Sequence, residues 1–359
     1  MTSRIDLRRI GGEFEIGRSE LAFDRTTAAS LPTFGAPYES WLDTGRSALA
    51  VVASHLRNVT PQGTVWLPAY SCESIVAPFL HQGLRTRFYA VGPHLDRVDA
   101  DPERGDTLLF IHYFGVRNQM ALQRIEEFRE RGVRLIEDCV QAALTGGVGQ
   151  SGDYALTSLR KILPQPDGAL LASRAAPTAV ADTADEAFVS ARVMGKLLRG
   201  AGSPVESFLA LFDESEARLA SDHPRAMSWV SRRLLLQTDL SEVAMRRRAN
   251  FAMLHRSLCS LATSRGIVPL LGPLDDGEVP LGCPIVVAAG QRDALRRHLA
   301  AQGIFCAVHW DLAHVGDAQF TDEQALASSI LTLPIDQRYD DSDMATVLDS
   351  LSTFCGAHV

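Results

Sequence analysis

Cysteine is scarce in this chain and poorly spaced for chemistry. Cys72, Cys139, Cys259, Cys283, Cys306 and Cys355 form no C-x-x-C pair and no His/Cys ligand spacing, which disfavours zinc and disulfides and fits a reducing cytoplasm. Basic charge is short as well. Thirty-five Lys and Arg stand against 43 Asp and Glu, a net charge of −8, whereas nucleic-acid binders carry the opposite sign. The run Arg246-Arg247-Arg248 falls on a predicted helix, where it reads as a solvated face. No apolar run is long enough to cross a bilayer, and the opening MTSRIDLRRIGGEFEIG lacks the apolar core of a signal peptide. There is no internal repeat or low-complexity tract. The expectation is a soluble cytoplasmic protein with no nucleic-acid and no membrane partner.

What is present is ordinary globular composition, 46% apolar and 22% charged, in 359 residues. That length exceeds what one core usually organises, so two lobes are expected. Residues 1–30 read as an N-terminal arm, 31–225 as a large domain and 226–359 as a smaller α+β domain. In the large domain, apolar strand runs at 64–67, 86–90, 107–111, 133–136, 154–156 and 169–171 alternate with helices from Gly45, over 73–81 and over 120–131. Continuous apolar strands separated by helices predict a mainly parallel sheet covered on both faces. Residues 175–221 read as helical, and a long helix follows Asp239. The last third alternates short strands (284–287, 304–308, 330–334) with helices over 292–301 and 344–351.

In a parallel sheet, ligands bind beyond the carboxyl ends of the strands, and His112, Asp138 and Ser158 all fall at such ends. Lys161 follows Ser158 in a Ser-x-x-Lys spacing, and Gln141 lies one helical turn beyond Asp138. An acid at one strand end and Ser-x-x-Lys at the next suit a cofactor with a basic ring nitrogen, a phosphate and an aldehyde, which describes pyridoxal 5'-phosphate (PLP). Lys161 is the candidate amine for the aldehyde, its pKa lowered by desolvation and by Arg160, or else an ordinary surface lysine. Asp138 is either the partner of the ring nitrogen or the N-cap of a helix starting at Cys139. Gln141 would bond the ring hydroxyl. Ser158, Arg160 and the turn Thr44-Gly45-Arg46-Ser47 would hold phosphate, though a plain helix cap explains the turn equally.

The order of these segments resembles that of the DegT/StrS sugar aminotransferases, within PLP fold type I. The matching segments are His112-Tyr113-Phe114-Gly115, Glu137-Asp138-Cys139-Val140-Gln141, Gly152-Asp153 and Ser158-Leu159-Arg160-Lys161. Thr44 to Ala48 resembles the family's phosphate turn, Pro68-Ala69-Tyr70-Ser71 its Pro-x-Phe-Thr segment, Met227-Ser228 its Met-Ser and Leu333-Pro334 a late Leu-Pro. The resemblance implies an aspartate-aminotransferase-like α/β fold with a seven-stranded sheet and a homodimer with shared active sites. It implies Lys161 as the internal aldimine, and amino transfer from a donor such as glutamate to a keto sugar or another small keto compound. The sequence departs from the family in four places. Cys72 stands where an aromatic usually stacks on the ring, leaving Tyr70 or Tyr113 as substitutes. The Ser-to-Lys spacing is short, Pro166 to Ala169 replaces a glycine-rich turn, and Pro224 and Ala226 replace the Asn and Arg that reach the partner's cofactor. These departures keep two other readings open: non-transaminase PLP chemistry on an amino acid (elimination, decarboxylation or replacement), and a degenerate binding or regulatory relative. In the small lobe, His309-Trp310 and residues 336–339 are positioned to face substrate. Arg338 there is either a carboxylate clamp or a surface ion pair.

Overall fold

The aliphatic strand runs are the least exposed parts of the chain. In a computed structural model describing residues 8–21, 32–176, 183–219, 223–316 and 319–357, every residue of 107–111, 154–158 and 169–173 is buried. Strands buried on both faces need a neighbour at each edge and a cover on each side, which a largely parallel sheet flanked by helices supplies.

The described elements begin with β1 (Ile10–Gly11), the single turn α1 (Arg18–Leu21), β2 (Tyr38–Leu42) and α2 (Gly45–Val59). Then come β3 (Thr64–Pro68), α3 (Glu73–His81), β4 (Arg85–Tyr89), β5 (Thr107–Ile111), α4 (Gln119–Gln123), α5 (Ile125–Glu130) and β6 (Arg134–Asp138). β7 (Tyr154–Ser158), β8 (Ala169–Ser173), α6 (Glu186–Gly200), α7 (Val205–Arg218), α8 (Trp229–Leu236) and α9 (Leu240–Arg265) lead to the last part of the chain. It holds β9 (Ile267–Pro269), β10 (Cys283–Val287), α10 (Arg292–Ala301), β11 (Ile304–Phe305), α11 (Thr321–Ser329), β12 (Ile330–Leu333) and α12 (Asp341–Ala357).

The large sheet has seven strands in the order β2-β8-β7-β6-β5-β3-β4. Only β8 runs against its neighbours, so the expected mainly parallel sheet is observed. The edge strand β2 is absent from the sequence reading, because Tyr-Glu-Ser-Trp-Leu at a half-exposed edge carries no apolar run. A second core surrounds the antiparallel sheet β12-β10-β9, where Leu254, Leu258, Ile285, Leu295, Leu331 and Val347 are fully buried. Each such side chain contributes roughly 1.5–3 kcal/mol. Residues 8–21, where the chain's first segment is described, pack on later elements. β1 pairs with β11, Gly11 N donates to Tyr339 Oη at 2.6 Å, and Ile16 N donates to Lys196 O at 3.3 Å. Residues 1–7 and 22–30 of the arm lie outside the described residues.

Three expectations are corrected. The helix over 120–131 is two pieces broken at Arg124, whose backbone leaves the helical region and whose guanidinium donates to Val98 O at 2.6 Å. No helix starts at Cys139, because Asp138 Oδ1 takes the Val140 N–H at 2.8 Å in a local turn, and Gly147 and Gly149 follow with positive φ. Arg247 is not on a solvated face but wholly buried.

The segment after β5 turns sharply through Phe114 (φ +53°) and Gly115 (φ +95°). A Cβ at Gly115 would lie 2.2 Å from Val279 O, on backbone that cannot easily move. Gly115→Ala should therefore cost about 2 kcal/mol or more in urea unfolding. An unchanged midpoint would show that the turn tolerates a side chain.

Candidate active site

The carboxyl ends of β5, β6 and β7 open into one cavity. Its floor carries Ile111, Asp138, Leu156 and Ser158, and the start of α2 adds Thr44, Gly45 and Arg46. Cys72, Ser74 and Ile75 come from the start of α3, and Arg160 and Lys161 from the turn after β7. Leu281, His309 and Trp310 cover it from the small lobe, with Glu216 and Leu219 at the end of α7. Of the residues read from the sequence, Gly45, Arg46, Cys72, Asp138, Gln141, Ser158, Arg160 and Lys161 are brought together here.

The two acids ending β6 behave oppositely. Glu137 accepts from His112 Nε2 (2.9 Å), Gly149 N (2.6 Å), Ser151 N (2.8 Å) and Gly152 N (3.0 Å). Burial would raise its pKa, but these donors hold it below the usual carboxylate range. Asp138, only 3% exposed, accepts one side-chain hydrogen bond, from Val140 N. Burial pushes its pKa up to about 6, against the Val140 N–H and the charge of Lys161. Asp138 is thus a buried acid short of partners. Gln141 stands beside it through the turn, not along a helix. Its amide oxygen accepts from Phe114 N, which leaves its NH2 as the donor.

Lys161 is exposed in the cavity, with protein packed around it, and it makes no hydrogen bond or ion pair among the described residues. Enclosure lowers its pKa, and Arg160 adds to the effect. Its backbone is fixed from the small lobe. Ile162 O accepts from Gln337 Nε2 (2.8 Å) and from the buried guanidinium of Arg247 (3.3 Å), which also donates to Leu281 O at 2.9 Å. Burial brings Arg247 down to about 10, against the charge of Asp336. Arg247 was invisible in the sequence because its carbonyl partners lie far away along the chain.

The far end of the cavity is cationic. Gly45 and Arg46 carry the first N–H groups of α2, which no turn of the helix can pair, and Gly45 lies against Ser158. Arg46 and Arg160 flank that end, and both reach Glu216, at 3.8 Å and 2.9 Å. No local pattern marked Glu216, which lies 56 residues from Arg160.

Three candidates stand off the cavity. His112 is fully buried behind Asp138, with Nδ1 accepting from Asn118 N (2.8 Å) and Nε2 donating to Glu137. Tyr113 spends its hydroxyl on Tyr70 O at 2.6 Å. Ser47 N donates to Thr44 Oγ1 at 3.2 Å, so this residue completes the helix cap. Neither Tyr70 nor Tyr113 supplies the aromatic wall opposite Cys72. Trp310 lines the cavity, with Tyr70 packed against it at 5.5 Å between ring centres. His309 beside it shares a hydrogen bond between Nδ1 and Thr332 Oγ1 (2.9 Å), and burial, then the Lys161 charge, push its pKa down to about 3. The segment 336–339 does not line the cavity. Arg338 is held by Asp336 (2.7 Å) and Glu15 (2.6 Å), the ion-pair alternative.

This sheet, the strand-end cavity and the small lobe over it define the aspartate-aminotransferase-like α/β fold, PLP fold type I. Solved structures similar to the chain include the aminotransferase TlmJ from Streptoalloteichus hindustanus, at 20% identity and TM-score 0.68, over 98% of this chain and 100% of that one. Spr1654 from Streptococcus pneumoniae, assigned as a sugar aminotransferase and solved in its PLP form, matches at 15% identity and TM-score 0.69, over 98% and 100%. A DegT DnrJ EryC1 StrS aminotransferase from Brucella abortus matches at 16% identity and TM-score 0.61, over 96% and 92%. No family model and no curated relative matches the sequence. The resemblance carried by the middle of the sequence therefore extends, as fold, over the whole chain. Among the described residues, no helix is long and apolar enough to cross a membrane.

The raised pKa of Asp138 has a sign. Between about pH 4 and pH 6 the folded cofactor-free chain keeps a proton that the unfolded chain releases, so its stability falls as pH rises through that window. Asp138→Asn should be more stable than wild type at pH 8, by up to about 3 kcal/mol, with the gap closing near pH 4. Urea unfolding at the two pH values measures it, and a pH-independent gap would count against the buried charge.

Proposed function

We propose that the chain is a PLP-dependent aminotransferase that moves an amino group from an amino acid donor, glutamate first among those to test, to a keto sugar or another small keto compound. One observation carries this reading: an unpaired amine, Lys161, shares a cavity with a buried, under-partnered acid, Asp138, and a cationic helix start. The donor set fits PLP. Asp138 would pair with the ring nitrogen, the Gln141 NH2 would donate to the ring hydroxyl, and Gly45, Arg46, Ser158 and Arg160 would hold the phosphate. When bound, PLP supplies an electrophilic aldehyde and a cationic ring that accepts electrons from the substrate carbon.

The residues of the chain then divide the work. Lys161, with its pKa lowered, would hold the aldehyde and would move the proton at the substrate carbon. Asp138 would keep the ring nitrogen protonated, since a cation beside it would relieve the cost of its burial. Val140, Leu156, Leu281 and Trp310 form apolar walls that exclude water. His309 stays neutral and adds no competing charge beside Lys161. We further take 31–225 as the cofactor lobe and 226–359 as the lobe over the substrate, in a cytoplasmic homodimer. Pro224 and Ala226 would give a neighbouring subunit's phosphate no polar side-chain contact.

Purified protein should show a visible band with PLP that Lys161→Ala abolishes, and glutamate should bleach it. Unchanged absorbance across several amino donors would sink the transferase reading and favour other PLP chemistry. Asp138→Asn should keep PLP yet lose at least about a hundredfold in turnover; near wild-type turnover would refute its role.

A further inference from the structure

The phosphate end of the cavity already holds an anion. Glu216, in the last turn of α7, sets Oε1 at 2.9 Å from Arg160 and Oε2 at 3.8 Å from Arg46. These are the two guanidinium groups that flank the start of α2. A phosphate seated there would need the same N–H donors, and two anions on one pair of cations repel. Glu216 also has another partner. Arg192 of α6, 1% exposed, donates to Glu216 Oε1 and reaches Glu13 at 3.4 Å. The carboxylate can leave Arg46 and Arg160 without losing all charge compensation.

We propose that Glu216 is a built-in stand-in for the cofactor phosphate. It keeps Arg46 and Arg160 in place in the cofactor-free chain, retreats onto Arg192 when a phosphate ester arrives, and so sets the affinity for phosphorylated pyridoxal. The inference rests on the PLP reading for its ligand, but the exchange of anions is a property of this cluster alone. It predicts selectivity by phosphate: removing the Glu216 charge strengthens binding of anything bearing phosphate there and leaves the unphosphorylated ring untouched.

The test compares wild type, Glu216→Gln, Glu216→Asp and the control Glu214→Gln, whose residue lies on the same helix and pairs with Arg218. PLP and pyridoxal are titrated by the visible band, and inorganic phosphate by calorimetry on the cofactor-free protein. Glu216→Gln should tighten PLP and phosphate about tenfold, with pyridoxal unchanged. Glu216→Asp, whose shorter arm withdraws the carboxylate, should fall between, and Glu214→Gln should match wild type. Unchanged or weaker phosphate binding in Glu216→Gln overturns the proposal, as does an equal gain in Glu214→Gln, which would make the effect long-range charge. If no variant forms a visible band with PLP, the cofactor reading fails, and the phosphate titration alone decides the role of Glu216.

Discussion

A carboxylate enclosed by protein and given one hydrogen bond calls for a cation, and the cavity is arranged around such a group. Asp138 and its neighbour Glu137 end the same strand, and the alternation of a strand sends their side chains to opposite faces. Glu137 meets His112 and the N–H groups of the 149–152 loop and is saturated. Among the described residues, the Asp138 side chain accepts a hydrogen bond from Val140 N alone and remains electrostatically unfinished. One residue locks the loop behind the site, and the other leaves a demand that a bound group must meet.

Lys161 presents the complementary imbalance. Enclosure and Arg160 weaken its hold on a proton, just as burial strengthens Asp138's hold on one. Both drift toward neutrality in the empty cavity, a state suited to accepting a polar ligand without first breaking a strong ion pair. Rigidity comes from elsewhere. Arg247 and Gln337 fasten the carbonyl beside Lys161 to the small lobe, so the amine's backbone is shared between two cores.

The large sheet was legible because its strands are apolar runs, and the cavity-lining Asp138 and Ser158 end two of them, with Lys161 in the turn that follows. The edge strand β2 was not, since half-exposed edges need no apolar pattern. The turn after Asp138 was misread as a helix because the competing bond to Val140 N depends on a side-chain geometry that residue types alone do not fix. Arg247 and Glu216 were missed or misread for another reason. Each takes its meaning from partners 33 to 90 residues distant in one case and 24 or more in the other. His112 and Tyr113 sit at the expected strand end, yet their polar atoms are spent on Glu137, Asn118 and Tyr70, so they support the wall and do not face the cavity.

The N-terminal segment works mechanically as a tie-rod. Its β1 end is laced into the small lobe through β11, Tyr339 and Arg338, while Glu13 a few residues on grips Arg192 and Lys196 of α6. Between these two anchors the strap bends through Gly11 (φ +87°) and Gly12 (φ +74°), a conformation that glycine adopts without strain. The segment thereby joins the sheet partner β11 to helix α6, and the Arg192 that its Glu13 holds is the same residue that holds Glu216.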